Sequence, residues 1–234
     1  MNRTTDHLPE AQNSVASGPG TWHFRPARAS DAAACAPLVF ASGVREFGFF
    51  LGTTPEQAIE FLRAACAARH GRFSWRRHRV ATAADGTVLA VMAAHDGRRI
   101  LLDDPHVAWM LFRHFGLLSS FRMLLRGLIL ESELPAPKRF QTLIAHCTTD
   151  ARVRGTGIFS ALFADALASG VFAEGPGRAV VLDVLLDNHR ARHLYERLGF
   201  VELPRARARS KRLPAELASV RMGWLPFGTE QSGA

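Results

Sequence analysis

A short segment rich in glycine and arginine, RVRGTG at residues 152–157, has the composition of an anion-binding turn. Gly155 and Gly157 carry no Cβ, so the backbone there can approach a phosphate group closely. Because apolar runs flank the segment, we expect it to connect a strand to a helix, where free backbone N–H groups and the helix dipole favour a negative charge. A plain strand-to-helix turn would use the same residues, so the segment alone leaves both interpretations open.

A single tyrosine is the second feature that suggests chemistry. Tyr195 is the only tyrosine in a chain that has 16 phenylalanines, and a position that needed only an aromatic ring would more often hold phenylalanine. A buried phenol also requires a hydrogen-bond partner, so we expect the hydroxyl to have a role. Asn188 stands at the start of the same predicted helix, where its side chain can cap the helix or present an amide to a ligand.

These groups are positioned by predicted strands and helices. Thr54, Pro55 and Gln57 have the types and spacing that begin a helix, and Asp85-Gly86 between β-prone runs predicts a hairpin. One or two helices, broken by Gly116, are predicted in the apolar stretch that follows. The remaining elements are predicted in the order strand (FQTLIAHCTT), RVRGTG turn, helix (Ile158 to Ser169), strand (AVVLDVLL), helix from Asn188, and two closing strands.

The succession of strand, RxxGxG, helix, strand and NxxAxxLYxxLGF resembles the GNAT superfamily of acetyl-CoA-dependent N-acetyltransferases. Two segments carry the resemblance, TTDARVRGTGIFSALFADAL and LDVLLDNHRARHLYERLGF. It implies an α/β (α+β) fold with a mixed, largely antiparallel central sheet flanked by helices. Residues 101–140 do not match the family and are expected to form a helical insert between strands 3 and 4. The expected organisation is a disordered tail at 1–20, one domain at 21–228 and a C-terminal tail at 229–234.

The resemblance also implies acetyl-CoA as co-substrate, with no metal. The backbone amides from Val153 to Ile158 would hold the CoA pyrophosphate, the main chain at Thr149 would pair with the pantetheine, and Asn188 would contact the cofactor arm or a bound water. Tyr195 would be the general acid that protonates the CoA thiolate, in a direct transfer to a primary amine. The expected cofactor-binding residues are Thr149, Arg152, Val153, Arg154, Gly155, Thr156, Gly157, Ile158 and Asn188.

The general base is less evident. His146 is the clear titratable candidate on the strand before RVRGTG, but simple alternation from Thr149 points it away from the face shared by Leu143, Ala145 and Cys147. A β-bulge would reverse that direction, and a structural histidine is the alternative. Weaker candidates are Asp183, Glu131 and Glu133. Cys147 as an acyl-accepting nucleophile is disfavoured because buried cysteines are common in strands.

Composition limits the remaining possibilities. No signal core or long uncharged apolar run is evident, which favours a cytoplasmic protein with no membrane span, and three separated cysteines argue against disulfides or zinc. The net charge of +8 is almost entirely arginine, and the basic run at 205–212 has no interleaved aromatic residues, so nucleic acid is an improbable partner.

The acceptor is expected to be a small-molecule or peptide amine. The part of the insert at residues 107–130 can be a packing element, a lid on the acceptor site, a membrane-surface helix or a homodimer contact. A non-catalytic CoA-binding regulatory module is the alternative to an enzyme.

Overall fold

The computed structural model describes residues 21–172, 178–205 and 210–224; the two predicted tails lie outside these residues. Seven strands form one sheet in the order β1-β2-β3-β4-β5-β7-β6. Neighbouring strands are antiparallel except β4 and β5, which are parallel, so the predicted mixed and largely antiparallel sheet is confirmed. The strands are β1 (His23–Pro26), β2 (His78–Thr82), β3 (Val88–Asp96), β4 (Gln141–Thr149), β5 (Ala179–Leu185), β6 (Phe200–Glu202) and β7 (Ser219–Trp224).

Six helices cover the sheet: α1 (Ala32–Ala41), α2 (Val44–Leu51), α3 (Pro55–Ala67), α4 (Ile100–Glu131), α5 (Ile158–Ala168) and α6 (His189–Arg197). The α3 helix begins as predicted, since the Thr54 hydroxyl accepts a hydrogen bond from the Gln57 N–H. The α2 helix was not predicted from the sequence. It begins after Gly43 and ends at Gly52, which adopts a left-handed φ of 58°, and its N-terminus lacks a side-chain cap that would have indicated it.

The two faces of the sheet are covered by separate hydrophobic clusters. Along β3, Val91 belongs to the cluster formed with α1, α2, α3 and α4, whereas Ala90 and Met92 belong to the cluster formed with α5 and α6. This division follows from the alternation of side chains along a strand. The first face therefore carries the segments that resemble the family least, and the second carries the helices of the two recognised motifs.

The α4 helix lies between β3 and β4, which confirms the predicted helical insert. It is broken at Gly116, whose φ of 75° and ψ of 173° are not helical. Leu111 and Met123 bury one side of the helix against the core, whereas the other side exposes large apolar residues. These are Trp109, Leu117, Leu118, Phe121, Leu125 and Leu128.

Within the described residues no single helix meets the length and hydropathy needed to span a membrane, although the bent pair Ala29–Ala41 and Val44–Leu51 meets them jointly.

Candidate active site

A β-bulge in β4 sets the geometry of the site. Val91 of β3 pairs with Thr148 and Ala93 pairs with Ala145, so β4 has one more residue than β3 between these two pairs. The bulge coincides with His146, which has a φ of 54° and is the one non-glycine residue with positive φ in the described part of the chain. The prediction from simple alternation was therefore wrong: His146 lies on the same side as Leu143 and Ala145, where all three line one cavity.

Cys147 lies on the opposite face of the sheet from His146. It packs against the cluster formed with α5 and α6, while the His146 ring contacts Phe47 and Phe73 of the other cluster. The expectation that Cys147 shares a face with Leu143 is thus also corrected. His146 therefore faces the α1–α4 side of the sheet, and Cys147, the next residue, faces the α5–α6 side.

The parallel pairing of β4 with β5 ends close to the bulge. It extends from Gln141 and Ala179 to Ile144 and Leu182, and the later residues of β4 pair only with β3. On its other edge β5 pairs with β7 from Val180 to Leu185, so beyond Leu182 only the edge of β5 that faces β4 is without a strand partner. The sheet is therefore open between β4 and β5 next to His146, and unpaired backbone groups line this gap.

The RVRGTG segment connects β4 to α5 and has two left-handed glycines. Gly155 has a φ of 85° and Gly157, the N-terminal cap of α5, has a φ of 88°. Among the described residues, the N–H groups of Gly155, Gly157 and Ile158 donate to no protein group. The N–H groups of Val153, Arg154 and Thr156 donate to backbone carbonyls at 3.1, 3.5 and 3.4 Å. The predicted run of free amides is therefore reduced to Gly155, Gly157 and Ile158 at the N-terminus of α5.

The side chains around this segment are partly engaged. The Arg152 guanidinium donates to both carboxylate oxygens of Asp150, at 3.0 and 2.8 Å, and these bonds lower the pKa of Asp150 to about 2. The Nε of Arg154 donates to the Thr149 carbonyl at 3.2 Å, so a ligand that pairs with this carbonyl must share or displace that bond. Thr156 donates through its hydroxyl to Val153 at 2.8 Å.

Asn188 caps α6, because its Oδ1 accepts a hydrogen bond from the Ala191 N–H at 3.2 Å. This was one of the two roles considered for Asn188. Its amide nitrogen makes no hydrogen bond to the described residues, so its contact with a cofactor stays a prediction.

Tyr195 is buried on α6, with 7% of its surface exposed. Its ring packs edge-to-face against Phe159 and Phe200, and its hydroxyl lies beside the Cys147 thiol. Burial and the neighbouring thiol raise the pKa of Tyr195 well above its ordinary value, so the phenol stays protonated at neutral pH. Burial likewise raises the pKa of the Cys147 thiol to about 12. A thiol with that pKa is a poor nucleophile.

Three histidines from adjacent strands meet on the face of the sheet opposite to Tyr195. His78 of β2 and His95 of β3 are buried, and His146 is partly exposed between them. The Nδ1 of His146 lies 3.0 Å from the Nε2 of His78, and the Nδ1 of His78 lies 2.9 Å from the Ser74 carbonyl. His78 and His95 were not identified from the sequence, because a lone histidine in an apolar strand gives no distinctive signal.

The hydrogen bonds of His78 define its tautomer. A carbonyl can only accept, so the Nδ1 of His78 carries the proton and its Nε2 is the acceptor for the Nδ1–H of His146. The Nε2 of His146 is then left with a free lone pair. Burial, followed by the nearby His78 and His95, holds the pKa of His146 well below its ordinary value, so this lone pair is available at neutral pH.

The other candidate bases are engaged or peripheral. Asp183 accepts two hydrogen bonds from Arg221, at 2.8 and 2.7 Å. Glu133 is buried in a bidentate pair with Arg205 and also accepts from the Ser219 N–H at 2.7 Å. Arg205, the first residue of the basic run at 205–212, is therefore a structural residue; residues 206–209 of that run lie outside the described residues. Glu131 is exposed at the end of α4.

A cavity of about 570 Å³ adjoins His146. It lies between α2, the second half of α4 and the first face of the sheet, and it reaches the gap at Asp183 and Leu185 of β5. The insert thus forms one wall of a cavity at the bulge. Among the described residues, no group of three or more His, Cys, Asp and Glu side chains is arranged to hold a metal ion.

The site thus combines a gap between two parallel strands, a helix N-terminus with free N–H groups beside the gap and a cavity behind it. The chain was compared with known proteins. Residues 125–200 match the model of the acetyltransferase (GNAT) family, a family that uses acetyl-CoA as co-substrate.

Solved structures share the fold over most of the chain. An N-acetyltransferase from Staphylococcus aureus Mu50 superposes with a TM-score of 0.61 and 18% identity, covering 86% of this chain and 98% of that one. Another acetyltransferase superposes with a TM-score of 0.57 and 22% identity, again covering 86% of this chain and 98% of that one. No curated protein matches the sequence.

Because His78 and His95 are buried, we expect the free energy of unfolding to depend on pH. Burial lowers the pKa of His78 to about 4 and that of His95 to about 3, whereas both protonate near pH 6.5 when unfolded. The unfolded chain therefore binds more protons below pH 6.5, and the free energy of unfolding should fall as the pH drops from 6.5 towards 4, by on the order of 1 kcal/mol per pH unit for each histidine.

Urea unfolding from pH 7.5 to pH 4.5 measures this slope. His95→Leu is expected to reduce it, while His193→Gln on the exposed surface of α6 is the control and should leave it unchanged. An equal slope in the His95→Leu variant would contradict the argument.

Proposed function

We propose that the chain transfers the acetyl group of acetyl-CoA directly to a primary amine, with His146 as general base and Tyr195 as general acid. The observation that carries the proposal is the placement of these two groups on opposite faces of the sheet, at the gap between β4 and β5. A thioester in this gap would have the attacking amine on one side and the leaving sulfur on the other.

The residues around the gap fit acetyl-CoA. The free N–H groups of Gly155, Gly157 and Ile158 at the N-terminus of α5 suit the pyrophosphate, which such a helix end favours. The unpaired edge of β4 from Ala145 to Thr149 suits the amides of the pantetheine arm. Asn188 lies at the end of β5 and can donate its side-chain amide to the same arm.

The reaction forms an N–C bond and breaks the C–S bond of the thioester. The lone pair of the amine attacks the carbonyl carbon, and the Nε2 of His146 accepts the proton that the nitrogen loses. His78 supports this step because it holds the Nδ1–H of His146 and so keeps the lone pair on Nε2. When the C–S bond breaks, its electron pair goes to sulfur, to which the Tyr195 hydroxyl donates. The products are an acetylated amine and CoA.

A covalent acetyl-cysteine route is disfavoured. Cys147 is the thiol nearest the gap, but its pKa of about 12 keeps it protonated, and it lies on the face opposite His146. No base is adjacent to it in the described part of the chain, where its polar neighbours are Tyr195 and the Ala145 carbonyl, the latter at 3.7 Å. Direct transfer from acetyl-CoA to the amine requires neither a deprotonated Cys147 nor a base beside it.

Release of free CoA across a panel of amines tests the proposed activity. The panel comprises polyamines, amino acids, aminoglycosides and peptide amino termini, and the expected result is saturable CoA release with at least one class. Binding of CoA without release for any amine would instead support the non-catalytic CoA-binding module.

The glycines of RVRGTG are expected to matter more for CoA affinity than the arginines. A β-branched side chain is strained at the left-handed φ of Gly155 and Gly157, and the amides would move. Gly157→Val should weaken CoA binding about tenfold or more in calorimetric titration, whereas Arg152→Ala and Arg154→Ala should have smaller effects.

Gly170→Val is the control for backbone strain. Gly170 has a φ of 63° at the opposite end of α5, so this variant should lose stability but keep its CoA affinity. The interpretation fails if the arginine variants lose more affinity than the glycine variant.

Tyr195→Phe should preserve CoA affinity and lower turnover by about an order of magnitude or more, because only the donor to the sulfur is removed. Cys147→Ala removes the thiol beside Tyr195, and it should leave most of the turnover. Both are measured by CoA release at saturating substrates. Unchanged turnover in Tyr195→Phe would remove this residue from the mechanism, and an inactive Cys147→Ala would favour the covalent route.

His146→Gln should lower turnover by roughly a hundredfold at neutral pH, within the range expected for loss of a general base. Part of the loss should be recovered at high pH, where more of the free amine is already deprotonated. His193→Gln serves as the control. A loss that is the same at every pH would show a structural role for His146 and no role as a base.

A further inference from the structure

The cavity beside His146 differs in charge from the rest of the chain. The protein carries a net charge of +8, yet the described cavity lining has four carboxylates and one arginine. These charged residues are Glu46, Asp104, Glu131, Asp183 and Arg72. An excess of carboxylates in an arginine-rich protein favours positively charged ligands at this place.

Two of the carboxylates are already neutralised by the protein. Asp104 accepts hydrogen bonds from Arg72, including one of 2.8 Å, and Asp183 is held by Arg221. Glu46 and Glu131 form no ion pair in the described part of the chain. Glu131 is exposed, so water can satisfy its carboxylate. Glu46 is therefore the carboxylate of the lining that lacks a counter-charge in the described residues.

Glu46 lies on α2 at the edge of the cavity. Its Oε2 is buried and has no hydrogen-bond partner among the described residues. The neighbouring Arg45 does not pair with it, since Arg45 extends to Asp187 at 2.6 Å. Burial raises the pKa of Glu46, against the opposing effects of its own backbone N–H and of the Arg45 charge. A buried carboxylate oxygen without a partner is costly, and a cation from a ligand would remove that cost.

His95 provides a second unsatisfied group in the same cavity. Only 4% of its surface is exposed, and its Nδ1 is buried without a hydrogen-bond partner in the described residues. Its ring lies edge-on to the ring of His146, with 5.8 Å between centroids. A polar ligand group in the cavity can bond to this nitrogen, so the acidic lining is accompanied by an independent indication of a ligand.

The apolar part of the lining suits a hydrocarbon spacer. Phe47, the residue after Glu46, has its ring 6.2 Å from that of His146, so the base and the carboxylate flank one aromatic side chain. Leu124 and Leu130 of α4 complete this wall. A molecule that fits would have polar nitrogens at two points and methylene groups between them.

We propose that the acceptor carries a second positive charge, as in an aliphatic diamine or an amine with a guanidinium group, and that Glu46 binds this second charge while the reacting amine lies at His146. The proposal rests on the proposed acetyl transfer and adds the substrate class. It also assigns the insert a role, because α4 supplies the wall along which the spacer packs.

The experiment compares matched acceptors in the CoA-release assay. Putrescine and cadaverine are measured against butylamine and pentylamine, which have the same chain lengths but lack the second amine. The kcat/KM of each diamine should exceed that of its monoamine by about tenfold or more, the range expected for one charge-assisted hydrogen bond. Equal values for the two series would overturn the proposal.

Glu46→Gln tests the residue itself. This variant keeps the shape of the side chain and removes its charge, so the kcat/KM for diamines should fall towards the monoamine value while the monoamine value stays the same. Glu56→Gln, an exposed glutamate at the start of α3, is the control. A parallel fall for both acceptor series would overturn the role of Glu46, and the unchanged monoamine value also shows that the variant is folded.

The experiments distinguish a failure of the proposed acetyl transfer from a failure of the proposed substrate class. If the wild-type chain acetylates no amine, the proposed function fails and the substrate class falls with it. If it acetylates monoamines or acidic amines as well as diamines, the function stands and the inference about Glu46 is wrong.

Discussion

At His146 the backbone of β4 takes a left-handed conformation that a residue with a Cβ adopts only when its surroundings hold it there. The surroundings here are specific: a hydrogen bond to His78 on one side and stacking on the Phe73 ring, 5.4 Å away, on the other. The extra residue places His146 on the same face as Ala145, towards the cavity, and leaves Cys147 on the opposite face, beside the end of the β4–β5 pairing. The direction of the His146 side chain depends on this single irregularity.

The sequence was sufficient to predict the fold and to propose the residues of one half of the site. Gly155, Gly157 and Tyr195 have residue types that are costly or unusual at their positions, so they can be recognised without a structure. His146 was identified by type, but its direction was predicted wrongly, because a bulge at a non-glycine residue leaves no mark in the local sequence. The α2 helix was missed for a related reason: its stability comes from burying Phe47 and Leu51, a tertiary effect, rather than from a capping motif.

Several polar groups at the site lie in surroundings that do not satisfy their hydrogen-bonding capacity. His95 and Glu46 each bury a polar atom without a partner in the described residues, and Tyr195 places its hydroxyl against a thiol, a weak hydrogen-bonding group. Unsatisfied groups are rare in folded proteins and concentrate where a ligand completes them. Their positions on both sides of the gap agree with one ligand approaching from each face.

The charges on the two faces differ in sign, and this separates the two ligands that the proposals require. On the side of RVRGTG the available groups are N–H donors at a helix N-terminus, with the Arg190 guanidinium close to Gly155. On the side of His146 the uncompensated group is the Glu46 carboxylate. A polyanionic cofactor is thereby favoured on the RVRGTG side and repelled from the His146 side, whereas a dication has the opposite preference. The gap at the bulge is then the place in the described structure where the two proposed ligands would meet, and the difference in charge would keep a cationic acceptor away from the proposed pyrophosphate site.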